Sequence, residues 1–402
     1  MTYQKLKIPI ILVSLPYIFF DVLLPLYTNE LGYSTFQFTL LVSVFSLSQL
    51  IMRLLLGKMS DRYSRRSIFI ASLLCFIFAY AAFAAADSLA VLVTARVING
   101  AASILLTLSI FGIITDAGGS YAQSLGRYDS NRNLGGFIGV GLCYFILSRF
   151  ELLSGWSVLF AACGAAAALA LGYTVFTPAP VEAKRPVSAP RSALPPEKRK
   201  VWFVNILFCL LSSMITVILI PYLQDVFAAD MQEITIAFLL PIIVSAFTGP
   251  VLGKVGDRIG YRKAIAVSAL IAAGAAAAAV FSSGIIVFAL LWTVLIMADA
   301  MLGFALDAMF LQGIPERQVG DAYGKYSTGA YLGLILGPAL GGFLFDTYGS
   351  AVPYFAFAGG MVLFIGMVWS ILPRDMAAGQ GQKQKQKQKQ MLDETVLDEG
   401  MR

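Results

Sequence analysis

Long apolar runs separated by short polar segments fill the chain between residues 8 and 372. A helix needs about 20 apolar residues, at 1.5 Å of rise each, to cross the hydrocarbon core of a bilayer. The apolar positions are continuous rather than alternating, which favours helices over the strands of a membrane barrel. The pattern predicts twelve membrane-spanning helices, at residues 8–28, 35–56, 67–86, 88–114, 133–150, 155–176, 201–223, 234–252, 264–283, 285–310, 327–345 and 351–372.

Two polar segments interrupt or end this pattern. Residues 177–200 are rich in proline, alanine and charge, which predicts an extended linker. The end of the chain carries a QKQKQKQKQ tract followed by acidic positions, which is typical of a disordered segment. The predicted domains are an N-terminal six-helix bundle (1–176), a cytoplasmic linker (177–200), a C-terminal six-helix bundle (201–373) and a disordered cytoplasmic tail (374–402).

The composition agrees with an all-α integral membrane protein. Hydrophobic residues make up 58% of the 402 positions and charged residues 13%, whereas a soluble chain carries about 25% charged residues. The sequence has no histidine, which excludes Ser-His-Asp triads and metal sites built on imidazole. The four cysteines lie inside apolar runs, where each behaves as a small hydrophobic residue, and we expect no disulfide framework.

Basic residues are concentrated on one side of the predicted spans. Of the 29 Lys and Arg residues, 26 fall in the termini, the linker and the loops that follow the even-numbered spans. Of the other three, Arg149 lies on the opposite side, and Arg53 and Arg96 lie within spans. The positive-inside rule then places both termini in the cytoplasm of a multi-pass protein of the inner (plasma) membrane. Contact with anionic lipid also accounts for the net charge of +6, so no nucleic-acid partner is expected.

The two halves of the chain repeat each other at an offset of 196 residues. Pro25 aligns with Pro221, and the segment GKMSDRYSRR from Gly57 aligns with GKVGDRIGYRK from Gly253. Parallel repeats of this kind are related by an axis along the membrane normal. The repeat therefore predicts two pseudo-symmetric six-helix bundles, an arrangement suited to alternating access.

These features resemble the major facilitator superfamily, over residues 8 to about 373. Its signature G-x-L-a-D-R-x-G-R-[KR] between spans two and three has two copies here, with Ser64 replacing the usual glycine of the first copy. The matching residues are Gly57, Asp61, Arg62, Arg65 and Arg66 in the first copy and Gly253, Asp257, Arg258, Gly260 and Arg262 in the second. The resemblance implies the major facilitator fold, with twelve spans in two six-helix bundles.

The first motif copy also suggests a cytoplasmic latch. Asp61 would face the positive end of a helix in the other half, and the neighbouring arginines would pair with acids such as Asp116. Breaking these contacts would open the cytoplasmic side. In the alternative interpretation, the basic residues only set the topology.

Span four carries Arg96, Asn99 and Gly100, which resemble the R-x-x-Q-G motif of the family with Asn in place of Gln. An arginine in mid-membrane is expected to face a cavity or an acid. By the rise per residue, Asp21 lies roughly 20 Å from the inner face and Arg96 about 18 Å from it, so their depths are similar. We predict a substrate or proton site that includes Asp21, Arg96 and Asn99. A fixed structural ion pair is the alternative.

Span ten carries two further acids, Asp299 and Asp307. Asp299 lies about 9 Å from the cytoplasmic face, whereas Asp307 lies near the interface, where a solvated charge is expected. A carboxyl group inside the membrane can bind a proton at one face and release it at the other. In a sequence without histidine, Asp21 and Asp299 are the groups deep enough to carry protons, and we predict that Asp299 is a proton or cation site.

Span eleven has a small-residue pattern made of Gly333, Gly337, Pro338, Gly341 and Gly342. In the drug-antiporter branches that the chain resembles, such a motif belongs to span five, where this sequence has glycines but no proline. The departure weakens the implication of antiport, and we favour close helix packing through small residues.

Spans one, four, seven and ten line the central path in the family that the chain resembles. Their aromatic and amide residues suit a lipophilic or amphipathic substrate better than a phosphorylated one, which requires several basic groups. The further cavity candidates are Tyr17, Phe20, Tyr27, Asn205, Phe208, Tyr222, Gln224, Trp292 and Phe304, although each could instead face lipid.

The predicted function is secondary active transport by alternating access, as proton-coupled export of a lipophilic or amphipathic small molecule such as a drug or metabolite. The alternatives are an importer or facilitator of a sugar or other small solute, and a non-transporting membrane receptor. An enzyme is not expected, because the sequence has no histidine base and no loop long enough for a catalytic domain. The expected partners are substrate, protons and the lipid bilayer, with a monomeric chain and no cofactor or metal.

Overall fold

The computed structural model of the protein is built from helices. It describes residues 6–59, 64–117, 121–177, 195–229, 260–312, 314 and 319–372, together with scattered positions between 233 and 259. No strand occurs among these residues. The helices are α1 (Lys7–Val13), α2 (Pro16–Glu30), α3 (Thr35–Met59), α4 (Arg65–Ala84), α5 (Leu89–Ala117), α6 (Tyr121–Leu147), α7 (Leu152–Phe176), α8 (Pro196–Thr216), α9 (Leu219–Phe227), α10 (Tyr261–Val280), α11 (Ile285–Leu311), α12 (Val319–Tyr348) and α13 (Val352–Ile371).

Ten segments of the described helices are long and apolar enough to cross a membrane. They match the predicted spans except the fifth and the eighth. Helix α6 covers the fifth span but begins at Tyr121, well before the predicted start at residue 133, because a helix can continue beyond the apolar layer into water. Most of the eighth span (234–252), the linker residues 178–194 and residues 373–402 lie outside the described residues.

Two of the predicted spans are interrupted close to a proline. Span one is divided just before Pro16 into α1 and α2, and span seven is divided before Pro221 into α8 and α9. A proline has no N–H to donate to the carbonyl four residues earlier, so a helix weakens at that point. At the first break, the buried hydroxyl of Tyr80 donates to the carbonyl of Val13 at 2.7 Å. The neighbouring helix α4 thereby satisfies a backbone group that the break releases.

The chain divides into two compact units that differ from the two halves of the sequence repeat. The predicted division into two bundles of six helices follows the sequence repeat, and it stays a prediction. The first unit comprises residues 1–191, 213–225 and 330–353, and the second comprises residues 192–212, 226–329 and 354–402.

Aromatic side chains fill the core of the first unit. The ring of Tyr27 stacks on Trp156 with 3.9 Å between centroids, and Phe20 meets Phe83 edge to face at 5.0 Å. The indole N–H of Trp156 donates to the carbonyl of Phe83 at 2.7 Å, so this large buried ring also has its polar atom satisfied. These contacts fasten α2 to α4 and α7.

Glycines bring α6 directly against the first span. A Cβ atom at Gly139 would overlap the carbonyl oxygen of Leu15, and one at Gly135 would overlap that of Ile11. A larger residue at either position would therefore separate the two backbones.

The second unit contains the alanine-rich α10, which packs against α11. Small side chains let these helices approach closely. In α11, Phe288 and Trp292 stack at 6.1 Å, and Tyr354 of α13 meets Phe288 at 6.2 Å.

Candidate functional site

Arg96 is a buried cation held between aromatic rings. It lies on α5 and is 4% exposed. Its guanidinium carbon is 4.2 Å from the ring centroid of Phe20 and 5.2 Å from that of Phe45. Cation–π attraction offsets part of the loss of hydration. The buried Nε atom has no hydrogen-bond partner among the described residues, so the guanidinium retains a free donor.

Asp21 follows Phe20 on α2 and is exposed. Its charge and that of Arg96 act on each other electrostatically. The structure nevertheless shows no hydrogen bond or ion pair between these two described residues. Asp21 and Arg96 are thus neighbouring opposite charges without the direct contact that a fixed ion pair requires. Asn99, one helical turn after Arg96, is half-buried.

Close packing between α3 and α5 positions this arginine. A Cβ atom at Gly100 would lie 2.8 Å from Cβ of Ser48, and the Ser48 hydroxyl donates to the carbonyl of Val97 at 2.6 Å. Nearby, the amide of Gln49 donates to the hydroxyl of Ser103 at 3.1 Å. These partners were not predicted from the sequence. The small residues Ser48 and Gly100 on two apolar spans were the available signal.

Asp299 is the second buried charge, on α11, and is 9% exposed. The hydroxyl of Ser212 on α8 donates to its Oδ2 atom. The Oδ1 atom is buried and has no hydrogen-bond partner among the described residues. A buried carboxyl oxygen that accepts no hydrogen bond is rare and energetically unfavourable in a protein interior. Such an atom marks a place where a proton or ligand can bind.

A polar stripe on α8 accompanies Asp299. Asn205, Cys209 and Ser212 are spaced four and three residues apart and therefore share one helix face. The Cys209 thiol donates to Oδ1 of Asn205 at 3.7 Å, and Asp299 acts electrostatically on Cys209. Asn205 was predicted as a cavity residue, whereas Cys209 and Ser212 were not, because their spacing places them on one helix face without telling which face meets Asp299.

The two motif copies differ in backbone conformation. Ser64 has φ −65°, which any residue can adopt, and its hydroxyl accepts a 3.0 Å hydrogen bond from the N–H of Ser67. It therefore caps the N-terminus of α4. The corresponding Gly260 has φ +88°, a region that favours glycine. The replacement of glycine by serine in the first copy thus follows from the local backbone.

The last arginine of each motif copy caps the end of another helix. Nη2 of Arg66 lies 2.9 Å from the carbonyl oxygens of Thr174 and Val175 and 3.0 Å from that of Thr177, at the end of α7. At the equivalent position, Arg262 donates to the carbonyl of Trp369 near the end of α13. Both arginines therefore bind unpaired carbonyls at the negative end of a helix.

Part of the predicted latch cannot be placed. Asp61, Arg62, Gly253 and Asp257 lie outside the described residues, as do the side chain of Asp116 and the surroundings of Gly57. Arg65 is half-buried and Arg258 is exposed. The latch stays a prediction.

The cavity candidates fall into two groups. Tyr17 and Phe304 are exposed, at 44% and 47%, and Phe208 and Gln224 are half-buried. The other five lie in the buried interior of their own unit: Phe20, Tyr27, Asn205, Tyr222 and Trp292.

In the glycine pattern of α12, a Cβ atom at Gly341 would overlap the carbonyl oxygen of Met214, and the carbonyl of Gly333 accepts from Ser213 at 3.4 Å. Gly337 and Pro338 are buried in the same helix, and Gly342 faces α3. The close approach is what a small-residue packing surface provides. No group of three or more potential metal ligands is found in the part of the chain that the structure describes.

Membrane-length helices with proline breaks and charges within their spans define a polytopic protein of the transporter class. A family model described as Major Facilitator Superfamily matches residues 10–211 and 201–397. The chain belongs to the major facilitator superfamily, whose members are transporters and not enzymes. The predicted family and the predicted all-α membrane fold are confirmed.

Sequence relatives include multidrug transporters. The multidrug resistance protein MdtG of Proteus mirabilis (strain HI4320) is 31% identical over 175 residues, which cover 41% of this chain and 41% of MdtG. The quinolone resistance protein NorA of Staphylococcus aureus (strain MRSA252) is 30% identical over 125 residues, which cover 31% of this chain and 32% of NorA. The chain thus matches less than half the length of these relatives.

Solved structures share the fold over nearly the whole chain. A bacterial homologue of the human lysosomal transporter Spinster, in an inward-facing and occupied conformation, has a TM-score of 0.76 at 17% identity and covers 91% of this chain and 95% of its own. The nucleoside transporter NupG has a TM-score of 0.70 at 16% identity, and the match covers 92% of this chain and 99% of NupG. At these identities, the likeness supports the fold alone.

Proposed function

We propose that the protein is a secondary active transporter that exports a lipophilic or amphipathic small molecule in exchange for protons. It works by alternating access as a monomer in the inner membrane, with both termini in the cytoplasm. Its relatives named for multidrug and quinolone resistance support the export of organic compounds.

The observation that carries proton coupling is the environment of Asp299. One carboxyl oxygen accepts a hydrogen bond from Ser212, and the other is buried without a partner among the described residues. The second oxygen can take a proton without breaking an existing hydrogen bond. A proton bound there neutralises the charge and lowers the penalty of keeping the group in the membrane.

Asp21 and Arg96 form the second part of the proposed machinery. Arg96 is fixed by Phe20 and Phe45, while Asp21 is exposed and has no ion pair with it. A cationic or hydrogen-bonding substrate can therefore approach Asp21 without displacing a salt bridge. The exposed ring of Tyr17, one helical turn before Asp21 on α2, provides apolar contact surface.

The test is transport in proteoliposomes under an imposed pH gradient, with ethidium as a lipophilic cation and norfloxacin as a quinolone. We expect the gradient to drive transport of at least one probe. We expect the Asp299→Asn variant to transport at the rate seen without a gradient, because an amide cannot carry the proton. Asp87→Asn is the matched control, since Asp87 is an exposed acid between α4 and α5.

Two results would contradict the proposal. Full gradient-driven transport by both Asp299→Asn and Asp21→Asn would remove these carboxyl groups from proton coupling. Gradient-independent uptake of uridine or a sugar, with no transport of ethidium or norfloxacin, would favour the importer or facilitator. A receptor would transport none of these compounds.

A further inference from the structure

We propose that Tyr17, Asp21 and Arg132 form a binding site for a zwitterionic aromatic molecule, which carries both a carboxylate and an ammonium group. The proposal rests on the transport function proposed above and names the substrate class of that transporter. Tyr17 and Asp21 lie one helical turn apart on α2, and both are exposed. Arg132 lies on α6 and was not predicted as a site residue.

Arg132 stacks on the exposed ring of Tyr17. Its guanidinium carbon is 4.3 Å from the ring centroid of Tyr17 and 5.6 Å from that of Tyr128. Tyr17 is 44% exposed and Arg132 is half-buried, so a ligand can reach both. Stacking covers one face of the guanidinium plane, whereas the N–H donors point outward within that plane. Because the group has five donors, it can keep its existing contacts and bind a carboxylate in addition.

Close packing of α6 against α2 holds Arg132 in this place. One helical turn after Arg132, a Cβ atom at Gly136 would lie only 2.6 Å from Cγ1 of Ile18, the residue that follows Tyr17. A glycine at this position therefore lets the two helices approach closely. The arginine is thus positioned by two packed helices rather than by a loop, which favours a defined binding geometry.

Asp21 supplies the opposite charge at the other end of the site. Its side chain is exposed and makes no hydrogen bond or ion pair with Arg96 among the described residues. Arg96 is buried and stacks on Phe20 at 4.2 Å, so its charge stays behind α2 and does not occupy the carboxylate. Asp21 is therefore available to an ammonium group of a ligand.

The spacing of the three residues sets the shape of the ligand. Tyr17 and Asp21 are four residues apart, which is about 6 Å along the axis of α2. A ligand that places an aromatic ring against Tyr17 can reach Arg132 with a carboxylate at one end and Asp21 with an ammonium group at the other. A ligand with a cation alone uses only Asp21, so the carboxylate distinguishes the two classes of compound.

The site is tested with two fluorescent compounds that differ only in the carboxylate. Norfloxacin carries a carboxylate and a piperazinium group, and decarboxylated norfloxacin keeps the cation alone. Fluorescence anisotropy measures the binding of each compound to the full chain in detergent, for the unmodified protein and for the variants Arg132→Gln and Arg149→Gln. Arg149 is the matched control, because it is exposed just after the end of α6 and also stacks on a ring, that of Phe145 at 3.9 Å.

We expect the unmodified protein to bind norfloxacin roughly tenfold more tightly than the decarboxylated compound, which is the effect of one charged hydrogen bond. Arg132→Gln is expected to abolish this preference and Arg149→Gln to keep it. Asp21→Asn is expected to weaken both compounds by the same factor, because both retain the ammonium group. Equal affinities or no binding in the unmodified protein, or a preference that survives Arg132→Gln, would overturn the site. If Arg132→Gln does not fold, the two compounds on the unmodified protein still provide the test.

Transport in proteoliposomes separates this site from the proposed function. Gradient-driven transport of ethidium, with no preference for the carboxylate in binding, would overturn the site and leave the proposed function standing. A preference that depends on Arg132, with no gradient-driven transport of ethidium or norfloxacin by the unmodified protein, would support the site and overturn the proposed function.

Discussion

A single backbone dihedral distinguishes the two copies of the basic motif. At Ser64 φ is −65°, and the side chain is free to cap α4. At Gly260 φ is +88°, and a side chain would be strained. Two positions that align in the sequence therefore have different requirements, and the departure from the family signature at Ser64 has a physical reason.

Substitutions at these two positions are expected to have different effects on stability. Gly260→Ala should destabilise the protein by about 1–3 kcal/mol, the cost of a residue held in a glycine-only conformation. Ser64→Gly should cost only a few tenths of a kcal/mol, because glycine is an acceptable N-cap. Thermal unfolding in detergent measures both. Equal losses in the two variants would contradict the difference in backbone.

The charged members of the site could be predicted, whereas their neutral partners Ser212 and Phe45 could not. Asp21, Arg96 and Asp299 stand out because charges are rare inside the spans. Ser212 and Phe45 do not stand out, since many serines and phenylalanines occur in these helices. Contact between neutral residues depends on how each helix is rotated about its own axis. When a span is apolar on all sides, its sequence does not determine that rotation.

Helices were predicted well as elements, but their interruptions were not. Hydropathy marks the length of chain inside the apolar layer, which is why ten described spans match. It does not record where a helix breaks or how far it extends into water. The division before Pro16 and the early start of α6 at Tyr121 are features of this kind.

Alanine substitutions at two nearby glycines of α6 are expected to have opposite effects on stability. Gly139→Ala should destabilise the protein by about 1–3 kcal/mol, because the new methyl group would overlap the carbonyl of Leu15. Gly141→Ala should be neutral or stabilise by up to about 1 kcal/mol, because a Cβ there meets nothing within 4 Å and alanine favours the helix. The midpoint of thermal unfolding in detergent measures both, and a loss at Gly141 equal to that at Gly139 would show that packing is not the cause.

At the scale of the whole molecule, the family could be predicted because the sequence repeats itself. The offset of 196 residues and the two basic motifs indicated the family, which the family model confirms. The compact units were not predictable in the same way. Residues 213–225 and 330–353 group with the first unit through contacts between residues distant in sequence, which local patterns do not encode.

The proposed topology can be measured on the whole chain. Lys5 precedes the first span, whereas Asp87 lies in the loop after α4. Single cysteines at these two positions, in a chain whose native cysteines are replaced, are expected to react with an impermeant maleimide from opposite sides of the membrane. The positive-inside assignment predicts that position 87 reacts in intact cells and that position 5 reacts only in inside-out vesicles. Labelling of both positions from one side would overturn it.

The basic caps carry a consequence for how the protein is inserted. Arg66 and Arg262 close the ends of α7 and α13, and Lys198 donates to the carbonyls of Met309 and Gln312 at the end of α11, at 3.0 and 2.6 Å. Under the proposed topology, the same cations that hold a loop in the cytoplasm during synthesis also become structural parts of the finished helices. Moving these charges across the membrane would therefore not yield an intact transporter upside down, but a chain with three unfinished helix ends.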